Sequence, residues 1–256
     1  MELANRIVFV TGASSGIGAA CALAFARAGA KVLLCARRED RLDDVVESLR
    51  RTGVEAYGIG LDVRDPIAVE TAIGSLPEPW KSIDVLVNNA GLSRGLSRLH
   101  EGLLSDWEEM IDTNVKGLLY VSRAVIPGMI ERGRGQVINI GSIAGHESYP
   151  GGNVYCATKA AVRALTAGMR MDYVDTPIRI STVDPGMVET EFSLVRFHGD
   201  RERADKVYQG ITPLSADDVA EVVLFCATRP AHVEVAEVLL LPTAQASATL
   251  AHRRSG

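Results

Sequence analysis

Tyr155 and Lys159 stand four residues apart in a stretch with helical periodicity, so they share one face of that helix. A tyrosine phenol, with an ordinary pKa near 10, is a poor base at neutral pH. A lysine ammonium one turn away favours the phenolate, and the pair becomes a usable proton donor and acceptor. Ser142 follows an apolar, β-branched run, so its hydroxyl falls at a strand end, where it can hold a carbonyl oxygen. Asn114 is a polar residue among the apolar neighbours of a predicted helix over Leu104–Arg132. Such a position asks for a reason, for example the binding of a water that leads to the lysine.

A second group of residues suits a dinucleotide. Thr11-Gly12-Ala13-Ser14-Ser15-Gly16-Ile17-Gly18 follows the first predicted strand and opens the first predicted helix. Glycines at such a turn let the backbone approach a pyrophosphate and aim helix N–H groups at it. At the end of the second strand an acidic residue would bond the adenosine ribose. This chain has Ala36, Arg37 and Arg38 there. The missing carboxylate removes repulsion against a 2′-phosphate, and two guanidiniums offer bidentate contacts to it, which predicts NADP(H). The plainer reading of the pair is a solvated start to the next helix. Asp62-Val63, after the third strand, is placed to meet an adenine amino group. Asn88-Asn89-Ala90-Gly91 suits a turn passing close to a ligand, and is also a good ordinary turn.

The elements that must position these residues alternate. Strands are predicted at Ile7–Val10, Lys31–Cys35, Ala56–Gly60, Ile83–Val87, Gln136–Ile140, Arg179–Val183 and Val238–Leu241. Helices are predicted at Gly16–Ala28, Arg41–Thr52, Pro66–Gly74, Leu104–Arg132, Val154–Asp175 and Ala216–Thr228. Nearly continuous apolar strands separated by helices imply a doubly wound, seven-stranded parallel sheet in an α/β/α sandwich of the Rossmann type. No linker or repeat divides the 256 residues, so a single domain is expected over 1–256. Residues 189–213 interrupt the rhythm beyond a strand end, where ligands sit, and are a candidate lid. The tail at 243–256 is a candidate subunit contact.

Composition excludes several classes. With 27 Lys+Arg against 32 Asp+Glu the net charge is −5, which argues against a nucleic-acid surface. No apolar run approaches the roughly 18 residues of a membrane span. Val8-Phe9-Val10 is too short for a secretory signal core, so a cytoplasmic protein is expected. Four cysteines without a Cys-x-x-Cys pair read as free buried thiols in a reducing compartment. The histidines are scattered, and no metal is expected.

Taken in order, Thr11–Gly18, Asn88–Gly91, Asn114, Ser142, Tyr155, Lys159 and Pro185-Gly186 resemble the short-chain dehydrogenase/reductase superfamily over essentially the whole chain. The resemblance implies a tetrad of Asn114, Ser142, Tyr155 and Lys159. In it Tyr155 protonates the carbonyl oxygen, Lys159 lowers the phenol's pKa and bonds the nicotinamide ribose, Ser142 orients the carbonyl, and Asn114 supports a relay water. It also implies B-face hydride transfer, a nicotinamide carboxamide held by Pro185, Gly186, Val188 and Thr190, and an NADP(H) preference from Arg37. Further segments resemble the NADP-dependent 3-hydroxy acid dehydrogenase subgroup, which includes serine/allo-threonine dehydrogenases and malonic semialdehyde and sulfoacetaldehyde reductases. These are Met110–Asn114, Ala124–Met129, Gly151–Tyr155, Glu191-Phe192-Ser193, Val195-Arg196-Phe197, Pro230–Val233 and His252-Arg253.

The implied substrate is a small anionic 3-hydroxy acid or short aldehyde. Arg196 is the first candidate for its anion, with Tyr149 and Asn153 as added donors and Arg253 or Arg254 reaching a neighbouring subunit. A Glu147 that faced the pocket would repel an anion and favour neutral carbonyls. A carbonyl or 3-oxoacyl reductase is the alternative. A non-catalytic NADPH sensor is the other, and the presence of Tyr155, Lys159 and Ser142 together argues against it. The extra apolar faces of the predicted helices Leu104–Arg132 and Val154–Asp175 imply burial between subunits, in a homotetramer or, alternatively, a homodimer.

Overall fold

The computed structural model describes residues 2–254. Seven strands, β1 (Ile7–Thr11), β2 (Lys31–Ala36), β3 (Ala56–Gly60), β4 (Ile83–Asn88), β5 (Gly135–Ile140), β6 (Ile178–Pro185) and β7 (Glu237–Leu240), form one parallel sheet in the order β3-β2-β1-β4-β5-β6-β7. The order reverses between β1 and β4. The crevice at the carboxyl ends of those two strands is therefore the place for a ligand.

The strands alternate their apolar side chains between two helical layers. Val8, Val10, Val32, Leu34, Val85 and Val87 join α1 (Gly16–Arg27), α2 (Glu39–Arg51) and α9 (Ala216–Thr228). Phe9, Leu33, Leu86, Val137 and Ile180 join α3 (Pro66–Gly74) and α5 (Leu118–Glu131). The remaining helices are α4 (Leu104–Ile111), α6 (Asn153–Asp172), α7 (Phe192–Arg196) and α8 (Arg201–Lys206). Local chemistry fixes several starts: Asp65 caps α3 ahead of Pro66, and Ser215 and Asp218 form a reciprocal capping box on α9.

Two expectations need correction. The predicted helix Leu104–Arg132 is not a plain α-helix, because Asp112–Gly117 forms a π-turn between α4 and α5. Sequence periodicity does not register one extra residue in a turn. The seventh strand is not covered on both faces: β7 is an edge, with Leu239 46% exposed.

The segment 189–213 carries α7 and α8 and is closed at its neck, where Glu189 N–H donates to the Leu214 carbonyl and Leu214 N–H to the Met187 carbonyl. The tail folds onto its own chain. Arg253 donates to the carbonyls of Val207 and Gln209 of its own chain. All four cysteines are buried thiols, and burial pushes Cys21 and Cys35 up to about 12. Among the described residues no helix is long and apolar enough to cross a membrane.

The amino ends of the central strands are tied by one buried carboxylate. Asp84, 3% exposed on β4, accepts from Ile7 N–H on β1 (3.1 Å), from Arg6 (3.2 Å) and from Arg134, just before β5 (2.7 Å). Asp84→Ala removes three acceptor contacts at once and should cost about 3 kcal/mol. Thermal denaturation should show it as a fall in Tm of roughly 6–12 °C.

Candidate active site

The crevice between β1 and β4 opens into a cleft of about 390 Å³. The carboxyl ends of the two strands are laced together at its base. Thr11 Oγ1 accepts from Asn89 and Ala90 N–H groups (both 3.0 Å), and Asn89 Nδ2 donates to the Thr11 and Gly12 carbonyls (2.9 and 3.1 Å). The strand ends lie so close that a Cβ on Gly12, where φ is +66°, would stand 2.8 Å from Ala90 Cα. Gly18 does not line the cleft. It sits beneath the turn, where a Cβ would meet Asn89 Nδ2 and the Gly12 carbonyl at 2.5 Å.

The other predicted dinucleotide residues line the cleft. Gly12, Ser14, Ser15, Gly16 and Ile17 come from the first turn, Arg37 and Arg38 from the end of β2, and Asp62 and Val63 from the end of β3. Asn89, Ala90 and Gly91 follow β4, and Pro185, Gly186, Val188 and Thr190 close the far wall. Ser15 begins α1 without a side-chain cap, so no cap side chain occupies the N–H groups of the first turn, whose Gly16 and Ile17 line the cleft. Thr113 also lines the cleft, and its buried hydroxyl has no partner among the described residues. A glycine cradle, an uncapped helix start and an unpartnered hydroxyl fit a bound dinucleotide.

The charged rim is more crowded than expected. Both carboxylate oxygens of Asp62 are taken by Arg64, and although burial alone would raise Asp62, those bonds hold it below the usual carboxylate range. Arg37 pairs with Glu109 (3.3 Å), which also holds Arg94 (2.7 Å). Arg38 donates to the Ser14 and Ser15 hydroxyls (3.2 and 2.7 Å) and to Glu191 (3.1 Å). Glu109, Arg94 and Arg41 carried no motif, and Glu191 belonged only to a segment of family resemblance; the fold brings them here.

Ser142, Tyr155 and Lys159 converge on the opposite end. Ser142 starts a short 3₁₀ turn and accepts from Ala144 N–H (3.1 Å), and its hydroxyl bears on the Tyr155 phenol. Burial pushes Tyr155 above its ordinary range, with the neighbouring Tyr149 adding to this. The cation that draws it back down is Arg196, whose guanidinium carbon lies 5.3 Å from the ring centre. Lys159 Nζ instead donates to the Ile140 carbonyl (2.8 Å), and burial lowers it to about 8 against the pull of Asp184. In this structure Arg196 is a nearby cation that favours the phenolate, while Lys159 Nζ is held on the Ile140 carbonyl.

Asn114 is buried behind the cleft. Its Oδ1 accepts from Leu92 N–H (2.8 Å), and its Nδ2 donates to the Leu92 carbonyl (2.8 Å) and to Thr158 Oγ1 (3.0 Å). Thr158 in turn donates to the Tyr155 carbonyl (2.8 Å). Both amide hydrogens are thus used on protein, leaving one Oδ1 lone pair for a water. The π-turn is what aims this residue inward, a frequent place for such turns.

The expected substrate residues divide. Arg196 donates to Ser93 Oγ and Tyr149 Oη (both 3.0 Å) and lies over the rings of Phe192 and Tyr155. It lines a second cavity of about 180 Å³ beside Tyr155, together with Asn153, whose amide donates to the Ser97 carbonyl. Phe192 and Val195 of α7, which were not among the site residues expected from the sequence, face the main cleft. Glu147 does not face it: the side chain is exposed and accepts from Ala248 N–H (2.9 Å). The scattered histidines also gain a partner, since His146 Nε2 lies 2.7 Å from Asp184 Oδ2 and its Nδ1 lies 3.9 Å from Glu237.

With this geometry in view, comparison with known proteins is informative. The family model for short chain dehydrogenases matches residues 6–199. The NADP-dependent 3-hydroxy acid dehydrogenase of Salmonella typhi is 48% identical over 250 residues, 97% of this chain and 100% of that one. Sulfoacetaldehyde reductase 2 of Chromohalobacter salexigens is 46% identical, covering 94% of this chain and 96% of its own. The closed form of a serine dehydrogenase complexed with NADP+ superposes with a TM-score of 0.92 at 46% identity, covering 98% of this chain and 100% of that one.

Asn114→Ala would leave the N–H and C=O of buried Leu92 without partners, at a cost of roughly 3 kcal/mol. Its melting temperature should fall clearly below that of wild type, and Thr158→Val, which removes one hydroxyl, should fall less. Equal melting curves for all three would contradict the bracing role.

Proposed function

The chain belongs to the short-chain dehydrogenase family, and from that premise we propose that it is an NADP(H)-dependent oxidoreductase interconverting a small 3-hydroxy acid, or a similarly anionic alcohol, with its carbonyl form. The observation that carries this reading is a single cleft with Arg38 over Ser14 and Ser15 at one end and Ser142, Tyr155 and Lys159 at the other. The relatives' own names, a 3-hydroxy acid dehydrogenase and a sulfoacetaldehyde reductase, support the anionic substrate.

When bound, the nicotinamide supplies or accepts the hydride at the substrate carbon. Ser142 holds the carbonyl oxygen. Tyr155, kept protonated by burial, donates its phenolic proton to that oxygen during reduction. Lys159 lies one turn on, and Asn114 and Thr158 fix the backbone that carries Tyr155. Arg196 is the positive group for a substrate carboxylate or sulfonate, with Tyr149 and Asn153 alongside. It also eases the transient phenolate through its place over the Tyr155 ring. Leu92, Phe192 and Val195 give the cleft an apolar patch, which favours a neutral-carbonyl reductase as the second reading.

In this reading 189–213 is the lid and the protein works in the cytoplasm, where free thiols persist. Among the exposed apolar side chains, which also include Met171 on α6, two groups are Ile111, Leu119 and Ile130 along α4 and α5, and Phe225 and Leu239 on α9 and β7. Two such patches suit the two contacts of a homotetramer, and burial of one alone would make a homodimer.

Two measurements test the reading. Initial rates of NADPH oxidation should be at least ~10-fold higher in kcat/KM for malonic semialdehyde or sulfoacetaldehyde than for an uncharged aldehyde of equal size. Arg196→Met should erase most of that advantage, and Tyr155→Phe should lose turnover while still binding NADPH. A preference for neutral aldehydes or aryl ketones would favour the second reading. Separately, Lys159 is charged below about 8 and neutral above it, while Tyr155 stays protonated throughout. Reduction should therefore fall as pH rises through about 8; a rate that stays level well beyond that point would remove Lys159 from the proton chemistry.

A further inference from the structure

At the adenosine end of the cleft a carboxylate stands among the arginines. Glu191, at the start of α7, receives Arg41 Nη1 on both oxygens (2.8 Å each) and Arg38 Nη1 on Oε2 (3.1 Å). Arg38 is shared, because the other side of its guanidinium holds the Ser14 and Ser15 hydroxyls of the glycine turn. The Arg38 and Glu191 side chains are 41% and 44% exposed. An ion pair so open to water is weak and easily exchanged. A phosphate monoester offers a guanidinium the same planar, two-oxygen grip with more charge.

We infer that Glu191 is a cofactor-selectivity residue, whose carboxylate competes with the 2′-phosphate of a bound nucleotide for Arg38. The inference rests on the NADP(H) reading above. A 2′-phosphate must take Arg38 from Glu191 and then sits near a like charge, whereas a 2′-hydroxyl meets no such penalty. Glu191 therefore reduces the discrimination that Arg37 and Arg38 alone would produce. The contact also links the cofactor end to the substrate end. Glu191 begins the helix that carries Phe192 and Arg196 over Tyr155, so a nucleotide that takes Arg38 leaves Glu191 its ion pair with Arg41 of α2.

The test is calorimetric binding of adenosine 2′,5′-bisphosphate and of adenosine 5′-monophosphate at one fixed low salt concentration. The proteins are wild type, Glu191→Gln, Arg38→Gln and the double variant. Glu191→Gln should tighten the bisphosphate roughly three- to five-fold, the scale of an exposed ion pair, and leave the monophosphate unchanged. In the Arg38→Gln background the same change should have no effect. Unchanged or weaker bisphosphate binding by Glu191→Gln, or an equal gain for both nucleotides, would overturn the proposal. A wild type that prefers the bisphosphate, with the preference lost in Arg38→Gln but no gain in Glu191→Gln, would overturn this proposal and spare the NADP(H) reading. A wild type that binds both nucleotides alike, with no effect of Arg38→Gln, would overturn both.

Discussion

The joint between the ends of β1 and β4 is the constraint on which the rest of the site depends. Thr11 and Gly12 accept four hydrogen bonds from Asn89 and Ala90 across it, and Gly12 is pressed against Ala90 with no space for a Cβ. A parallel sheet that reverses its strand order must leave a crevice there. The laced ends keep that crevice narrow enough for backbone N–H groups on one side to face backbone and amide groups on the other. Gly18 lets α1 sit down onto the same joint, so the helix start is aimed by packing rather than by a cap.

A second set of polar contacts carries this order to the reacting groups. Asn88 donates to Ser122 of α5 and Asn139 of β5, and Asn139 donates to Thr166 of α6. Asn114 and Thr158 hold α6 to the loop after β4. Helix α6 is therefore pinned by buried hydrogen bonds at more than one level, and Tyr155 and Lys159 inherit its position. Buried networks of this kind are costly when incomplete and rigid when complete. The 189–213 segment is held by Arg94 on the Val195 carbonyl, Gly95 N–H on the Arg196 carbonyl, and the exposed pairs at Glu191, among other contacts. Helix α6 is thus fixed by buried hydrogen bonds, whereas the 189–213 segment meets the start of α2 through exposed ion pairs.

Electrostatics follow from this division. Tyr155 and Lys159 are shifted toward their neutral forms by burial, opposed by Arg196 and the Ser142 hydroxyl for the phenol and by Asp184 for the ammonium. Asp184 is itself held by Thr182 and His146, so the charge near Lys159 is set by residues with no motif of their own. Near Arg37 and Arg38 the acids Glu109 and Glu191 make the cationic rim less available than two adjacent arginines suggest.

Most elements were legible in the sequence, because strand runs, helix periods and the Gly12–Gly18 turn are properties of residues within a few positions of each other. Predicted and observed ends differ by at most three residues. The π-turn at Asp112–Gly117 escaped because one inserted residue barely disturbs an apolar stripe, yet it decides where Asn114 points. By itself the sequence determined the α/β alternation, the glycine turn and the Tyr155–Lys159 face, since spacing along one element carries all three. Only the tertiary structure decided that Glu147 binds the tail, that Arg196 lies against Tyr155, and that Glu191 meets Arg38 across 153 residues of chain. Those partners come from separate elements, and no local pattern records which charged side chains the packing of the sheet and lid will bring within reach.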